Sequence, residues 1–419
     1  MFSRRQFGLM SAAGLLMPRP LLASTRTDRK FLFVLCYGGW DTSMVFSPMF
    51  DISGADTEGD ATTASAGGID FVDSEARPSV RSFFENYGER CAVINGLEVP
   101  SVTHERCRRI LMTGSTATTT DDWAALLAGN ATESLLLPHV VLAGPAYTHQ
   151  HTDAVIRVGS NGQLPDLLDN TALQHSDMPV TALPAEVSAL ADAHLARAIA
   201  GQTGQAAAGR PAQVMSGYGD VLDKLAALKG LDGVELSPED AGCARDLAAD
   251  AAAVFDLFSM GITRCAMVRS DGWCSQGWDT HQGNPLQSTH YEELFGYLQL
   301  LMADLDTRTT ITGTPLSEEV TVVVLSEMGR HPQFNTWGGK DHWTFTSAML
   351  IGAGVAGGQV VGALDGDALG EKVALTSGEP SDSGVTLSAE HLGATLLALG
   401  DLDPADHLID AAPIEAVLT

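Results

Sequence analysis

The sequence predicts an α/β fold of three layers, with helices on both faces of a mainly parallel sheet and a helical insertion. Two runs, Phe31 to Cys36 and Val320 to Leu325, are apolar without alternation, the pattern of parallel strands buried on both faces. Strand-like and helix-like segments alternate along most of the chain, which implies a parallel sheet with crossover helices. Residues 160–260 differ in kind: they are rich in Ala and Leu with helical periodicity, so they read as an insertion or cap.

The first run ends in Tyr37-Gly38-Gly39-Trp40-Asp41, a Gly-rich loop after a strand. Residues 54–68 are small, polar and acidic and read as a surface loop. A helix is expected from Pro78 to Tyr87, a strand from Arg90 to Asn95, and a helix from Val102 to Met112 closed by Thr113-Gly114. His139 to Ala143 reads as a strand. Inside the insertion, Ser237-Pro238-Glu239-Asp240 has a capping residue, a proline and acids in the order of a helix start. Arg264 to Val268 returns to the strand pattern. The next helix is expected from about Ser288 to Asp306, opened by Thr289-His290-Tyr291-Glu292, with Leu294, Leu298, Leu301 and Leu305 on its buried face. Ala348 to Ile351 and Gln359 to Gly362 read as strands and Leu387 to Leu399 as the closing helix.

The N-terminus has the pattern of a twin-arginine export signal over residues 1–24: Ser3-Arg4-Arg5-Gln6-Phe7, an apolar run from Gly8 to Met17, and no acid before Asp28. That run is too short for a membrane span. The expected location is periplasmic or secreted, with no stable membrane span after cleavage and the α/β domain covering residues 29–419. The formal net charge is −28, with 52 acids against 24 Lys and Arg. Such a surface excludes nucleic acid as a partner. The six cysteines (36, 91, 107, 243, 265, 274) show no Cys-x-x-Cys spacing, which argues against a zinc knuckle or a redox pair. Most read as small buried side chains.

Open parallel sheets bind ligands beyond the carboxyl ends of their strands. Carboxylates and imidazoles recur there. Asp41 follows the first strand, and His104 follows the strand ending near Asn95. Asp279 and His281 follow the strand ending at Val268, Glu327 ends the 320–325 strand, and Asp341 and His342 precede the strand at 348. Oxygen and nitrogen donors at several strand ends suggest a divalent-metal site, Zn²⁺ or Mn²⁺ before Ca²⁺ or Mg²⁺. His149 and His151 read as loop residues outside it. There is no Gly-x-Ser-x-Gly elbow, Walker A loop or His-Glu-x-x-His.

Gly38-Gly39-Trp40-Asp41, Gly277-Trp278-Asp279-Thr280-His281, Ser326-Glu327-Met328-Gly329-Arg330, Gly338-Gly339-Lys340-Asp341-His342-Trp343 and Gly357-Gly358-Gln359-Val360-Val361-Gly362 resemble the blocks of the exported "domain of unknown function 1501" family. The resemblance implies an alkaline-phosphatase-like fold, in a superfamily that includes sulfatases and phosphoglycerate mutases. Position by position, Asp41 resembles the first metal-binding aspartate, Asp279 and His281 an Asp/His ligand pair, and His342 the later histidine. Glu327 stands where relatives carry an aspartate, but Met328 stands where they carry a histidine. Set against the sulfatase pattern, His104 falls at the nucleophile position, with metal ligand or phosphoryl acceptor as its alternative roles, Thr103 beside it and Arg108 at the arginine position.

The resemblance implies a metal-dependent hydrolase of a phosphate or sulfate ester, with metal-activated water as nucleophile. Its metal set is Asp41, Asp279, His281, Glu327, Asp341 and His342. Its catalytic set is His104, Thr103, Arg108 and Arg330, either arginine serving the oxyanion. Its substrate would be a small-molecule or polysaccharide ester. The missing nucleophile and Met328 leave a second reading open, a non-catalytic relative with a structural metal and a binding or assembly role, its partner a protein or a glycan.

Overall fold

A computed structural model describes residues 28–158, 184–203, 247–407 and 411–419. The N-terminal export pattern, most of the insertion and the helix start at Ser237 lie outside the described residues. Ten strands matter for the site. They are β1 (Lys30–Cys36), β2 (Cys91–Glu98), β3 (His139–Val141), β4 (Val155–Arg157), β5 (Cys265–Ser270), β6 (Val320–Ser326), β7 (Gly329–Phe334), β8 (Lys340–Trp343), β9 (Phe345–Gly352) and β10 (Gln359–Val361).

Eight of them form one sheet in the order β10-β2-β9-β6-β1-β5-β3-β4. Every pairing is parallel except those of β9, which runs antiparallel to β2 and β6. The apolar run that defines β1 sits at the centre. Its residues alternate between two cores: Leu32, Val34 and Cys36 face one, Phe31, Phe33 and Leu35 the other. That is the period-2 geometry of a strand covered on both sides.

The helices are α1 (Pro78–Tyr87), α2 (His104–Thr113), α3 (Trp123–Gly129), α4 (Ala185–Thr203), α5 (Leu247–Ser259), α6 (Pro285–Thr307) and α7 (Ala389–Leu399). Phe83 and Phe84 of α1, Phe258 of α5 and Phe295 of α6 fill the first core. Ile110 of α2, Trp123 of α3 and Leu392 of α7 fill the second. Each such side chain contributes about 1.5–3 kcal/mol on burial. Three layers around a mainly parallel sheet is the fold class expected from the sequence.

Two local expectations are corrected. The stretch read as a surface loop ends in a hairpin, Thr62–Ala66 against Ile69–Asp73. Its turn residues Gly67 and Gly68 have φ of 56° and 81°, the mirror-type turn that joins twisted strands. Helix α6 starts at Pro285, not near Ser288; proline in a first turn is pre-organised for the helix, and Ser288 and His290 are buried inside it. A hairpin, β7–β8, precedes β9, and Asp341 and His342 stand on its second strand. Between residues 160 and 260, the described residues include the helices α4 and α5.

Strands β1, β5 and β6 end level, with Cys36 beside both Ser270 and Ser326. The loops after them therefore meet on one edge. Gly38 (φ +131°) lies so close to the 278–279 backbone that a Cβ would sit 2.6 Å from the Asp279 nitrogen. Only glycine permits that approach.

Candidate metal centre

Three ligand atoms, one each from His104, Asp279 and His342, lie within 4.8 Å of one another. His104 opens α2, just past the edge of β2. Asp279 is on the loop after β5, and His342 is on β8. Its Nε2 puts His104 3.3 Å from Asp279 Oδ2. Nε2 of His342 is 3.1 Å from Asp279 Oδ1. His281, two residues beyond Asp279, brings its Nε2 to 3.2 Å from that oxygen and 2.9 Å from Nε2 of His342.

The other ring nitrogen of each histidine is committed. Nδ1 of His342 is 2.7 Å from the Val102 carbonyl, which can only accept, so Nδ1 carries the proton. Nδ1 of His281 is 3.0 Å from Asp341 Oδ1. That carboxyl is held below its ordinary range, first by Asn335 and then by His281, so it too accepts. Nδ1 of His104 is 3.0 Å from Glu327 Oε1. Each imidazole thus turns Nε2 toward Asp279, with its tautomer fixed from behind.

This leaves two Nε2 lone pairs 2.9 Å apart beside a carboxylate oxygen. Such an arrangement is repulsive unless a proton or a cation lies between the donors. Three imidazoles and a carboxylate suit a borderline transition metal better than Ca²⁺ or Mg²⁺. The residues therefore fit a divalent cation. Hydrogen bonding to Asp279, then to Glu327, raises the His104 pKa to about 9. Burial alone would push Asp279 upward, but His104, His342 and Arg330 together hold it well below the carboxylate range. The centre is open to solvent: the Asp279 side chain is 44% exposed and that of His281 40%.

Glu327 stands behind this group, fully buried. Both its oxygens accept from the Gly38 amide, at 3.0 and 3.1 Å, and it faces His104. It orients an imidazole and does not join the convergent donors. Asp341 likewise backs His281. Met328, next to Glu327 in the chain, is fully buried and packs in the second core.

Asp41 is not brought into the centre. Its carboxylate is fully buried and engaged by Lys340 Nζ at 2.9 Å, the Ser43 amide and hydroxyl, and Asn284 Nδ2 at 2.9 Å. Burial is the largest influence and acts upward, yet Lys340, Ser43 and Asn284 outweigh it and keep the group below its ordinary pKa. An internal ammonium holds the place expected for a metal at this residue.

Arg330 is also buried. It donates to the carbonyls of Gly38, Gly39, Trp278 and Lys340 and, at 2.8 Å, to Asp279 Oδ1. It is a strut between loops, and its only link to the centre is through Asp279. Arg108 donates to Glu105 at 2.7 Å, lies over the Tyr37 ring, and turns Nη1 toward Glu327 at 3.7 Å. Thr103 is exposed at the rim, one residue before His104, with its hydroxyl 3.3 Å from that of Ser101. Of the ten residues singled out in the sequence, His104, Asp279, His281 and His342 converge. Glu327 and Asp341 stand behind them. His149 is exposed, and the amides of His149 and His151 are held by Asp121, apart from the centre.

Sequence reasoning missed Asn335, Asn284 and the charge role of Lys340. Lys340 alone carried a signal, since it sits inside a Gly-Gly-Lys-Asp-His block.

The family model described as a protein of unknown function, DUF1501, matches residues 28–389. The chain belongs to the DUF1501 family. Comparison with curated proteins finds no match. Among solved structures, this DUF1501 protein is similar to Ps i-CgsB crystallised with k-i-k-neocarrahexaose, at 11% identity and a TM-score of 0.42, over 92% of this chain and 74% of that one. It is also similar to the PsFucS1 sulfatase from Pseudoalteromonas sp., at 10% identity and TM-score 0.34, over 93% and 76%. The phosphonate monoester hydrolase of Agrobacterium radiobacter gives 12% identity and TM-score 0.34, over 92% and 76%. The ligand and the activities named here belong to those proteins.

Proposed function

We propose that this protein is an exported, metal-dependent hydrolase of a phosphate or sulfate ester. The observation that supports it most is the convergence of three Nε2 atoms on Asp279 at a solvent-open strand edge. His104, Asp279 and His342 would hold the cation, with His281 as a further donor. Zn²⁺ is favoured by the nitrogen-rich set, Mn²⁺ next. When bound there, such a cation supplies a Lewis acid that withdraws charge from an ester oxygen and lowers the pKa of water. Glu327, the Val102 carbonyl and Asp341 keep the three imidazoles in the ligating tautomer. Arg330 keeps Asp279 ionised and in place. Thr103, exposed at the rim one residue before His104, would offer a hydroxyl to a substrate there.

The substrate would be a small-molecule or polysaccharide ester. Export is supported by the N-terminal pattern and by the disulfide bond at Cys274, which an oxidising compartment permits. Among the described residues, no helix is long and apolar enough to cross a membrane.

The second reading, a structural metal in a non-catalytic relative, is favoured by one observation: Arg108 and Arg330 are both turned inward. Against it stands the exposure of Asp279, since structural sites are closed. The test is a screen of phosphate and sulfate monoesters with metal-loaded protein and with Asp279→Asn. Turnover by the first and none by the second supports the hydrolase. A parent that binds metal but turns over no ester of either class sinks it in favour of the structural reading.

A further inference from the structure

Asn335 lies on the turn between β7 and β8, outside every motif discussed so far. Its side chain makes four hydrogen bonds. Nδ2 donates to the His281 carbonyl at 3.0 Å and to Asp341 Oδ1 at 2.9 Å. Oδ1 accepts from the amides of Trp337 at 2.9 Å and Gly339 at 3.2 Å. Both Nδ2 partners can only accept and both Oδ1 partners can only donate, so the amide has one allowed orientation. No other side chain of this length carries two donors at one corner and an acceptor at the other. Aspartate keeps the acceptor and loses both donors.

The turn is pressed against the loop it controls. A Cβ on Gly339 would lie 2.3 Å from the His281 carbonyl group, and Gly338 accepts from the Asn284 amide at 3.0 Å. The same Asp341 oxygen that takes a hydrogen bond from Asn335 takes one from His281 Nδ1 at 3.0 Å. The Asp341 side chain is 64% exposed, so the hydrogen bonds from Asn335 and His281 set its direction.

We propose that Asn335 is a positioning residue of the cation centre: it aims Asp341 at His281 Nδ1, anchors the His281 backbone, and so presents His281 Nε2 as a ligand. The proposal rests on the metal-centre reading above.

The test uses the full chain, stripped of metal and titrated with Co²⁺. Asn335→Asp keeps the turn's acceptor and sets two carboxylates about where one hydrogen bond was. Asp341→Ala cuts the link at an exposed position where folding is not at stake. Each is expected to weaken Co²⁺ binding about 10–100-fold, the usual effect of losing a partner behind a metal-ligating histidine. Each should also alter the visible absorption of the bound ion. The double variant should lose little more than Asp341→Ala alone. In the metal-free protein, ring ¹⁵N shifts should show His281 protonated on Nδ1 in the parent and mixed in both variants.

Unchanged Co²⁺ affinity, spectrum and His281 tautomer in Asp341→Ala would overturn the proposal, as would an Asn335→Asp effect confined to thermal stability. A parent that binds no Co²⁺ would defeat the metal-centre reading; the tautomer measurement would then decide the positioning role by itself.

Discussion

Replacing Lys340 by methionine separates the buried charge pair from the metal centre. Lys340 and Asp41 are both almost fully buried, 1% and 0% exposed, with Nζ 2.9 Å from Oδ2. Methionine keeps the chain volume and removes the charge. Asp41 retains the Ser43 and Asn284 hydrogen bonds but loses its cation. Removing one partner of a buried ion pair costs about 3–5 kcal/mol. The surviving hydrogen bonds place this case near ~3 kcal/mol. With an unfolding entropy of roughly 2 cal/mol/K per residue, a chain of this length should lose about 3–6 °C in Tm. Urea unfolding followed by circular dichroism measures the loss, and Lys340→Met with Asp41→Asn should recover at least half of it, because no buried charge is then unpaired. Metal content should stay at the parent level in both. A loss under about 1 kcal/mol would refute the buried-pair argument. Loss of metal in Lys340→Met as complete as in Asp279→Asn would refute the separation of Asp41 from the centre.

Other outcomes are expected on the same grounds. Glu327→Gln should weaken metal binding about 10–100-fold by loosening His104, read by competition with a chromogenic chelator, with near-normal folding judged by circular dichroism. Metal uptake near pH 7.5 should release protons, because His104, raised to about 9, is protonated until the ion binds; calorimetry in buffers of different ionisation enthalpy detects this. Acid stability should fall early. Burial lowers His139 and His290 to about 4 each, below the 6.5 of an unfolded histidine, so the unfolded chain binds more protons between those values. Stability is then whole above pH 6.5 and is lost as pH falls toward 4, by about 3 kcal/mol per histidine; a His139→Gln variant with an equally steep decline would count against this.

The sheet was legible because its central strands are apolar on both faces, and a strand buried in that way has few alternatives. Phe31 to Cys36 and Val320 to Leu325 could be placed without any long-range information. The strand-end rule put these loops on one edge, and His104, Asp279, His281 and His342, each singled out by its place next to a strand, come together there. What the pattern could not give was direction. Asp41 and Glu327 were correct as strand-end carboxylates, but a carboxylate looks the same in sequence whether it faces an ion, an ammonium 2.9 Å away or a backbone amide. That choice depends on Lys340, about three hundred positions along the chain, entering the same pocket. Arg330 was assigned to an anion because guanidinium groups often serve one, yet here four carbonyls had already taken it. Asn335 gave no signal at all, since its role depends on the β7–β8 hairpin, whose first strand, Gly329–Phe334, contains a proline and little alternation.

Elemental analysis of protein purified from its exported form, without a metal-chelating tag, tests the metal centre most directly. The expected result is near one equivalent of a transition metal in the parent, almost none in Asp279→Asn and His342→Ala, and parent-level content in Asp41→Asn. A folded parent that carries no metal and takes up none, or one that loses its metal only in Asp41→Asn, would contradict the centre described here.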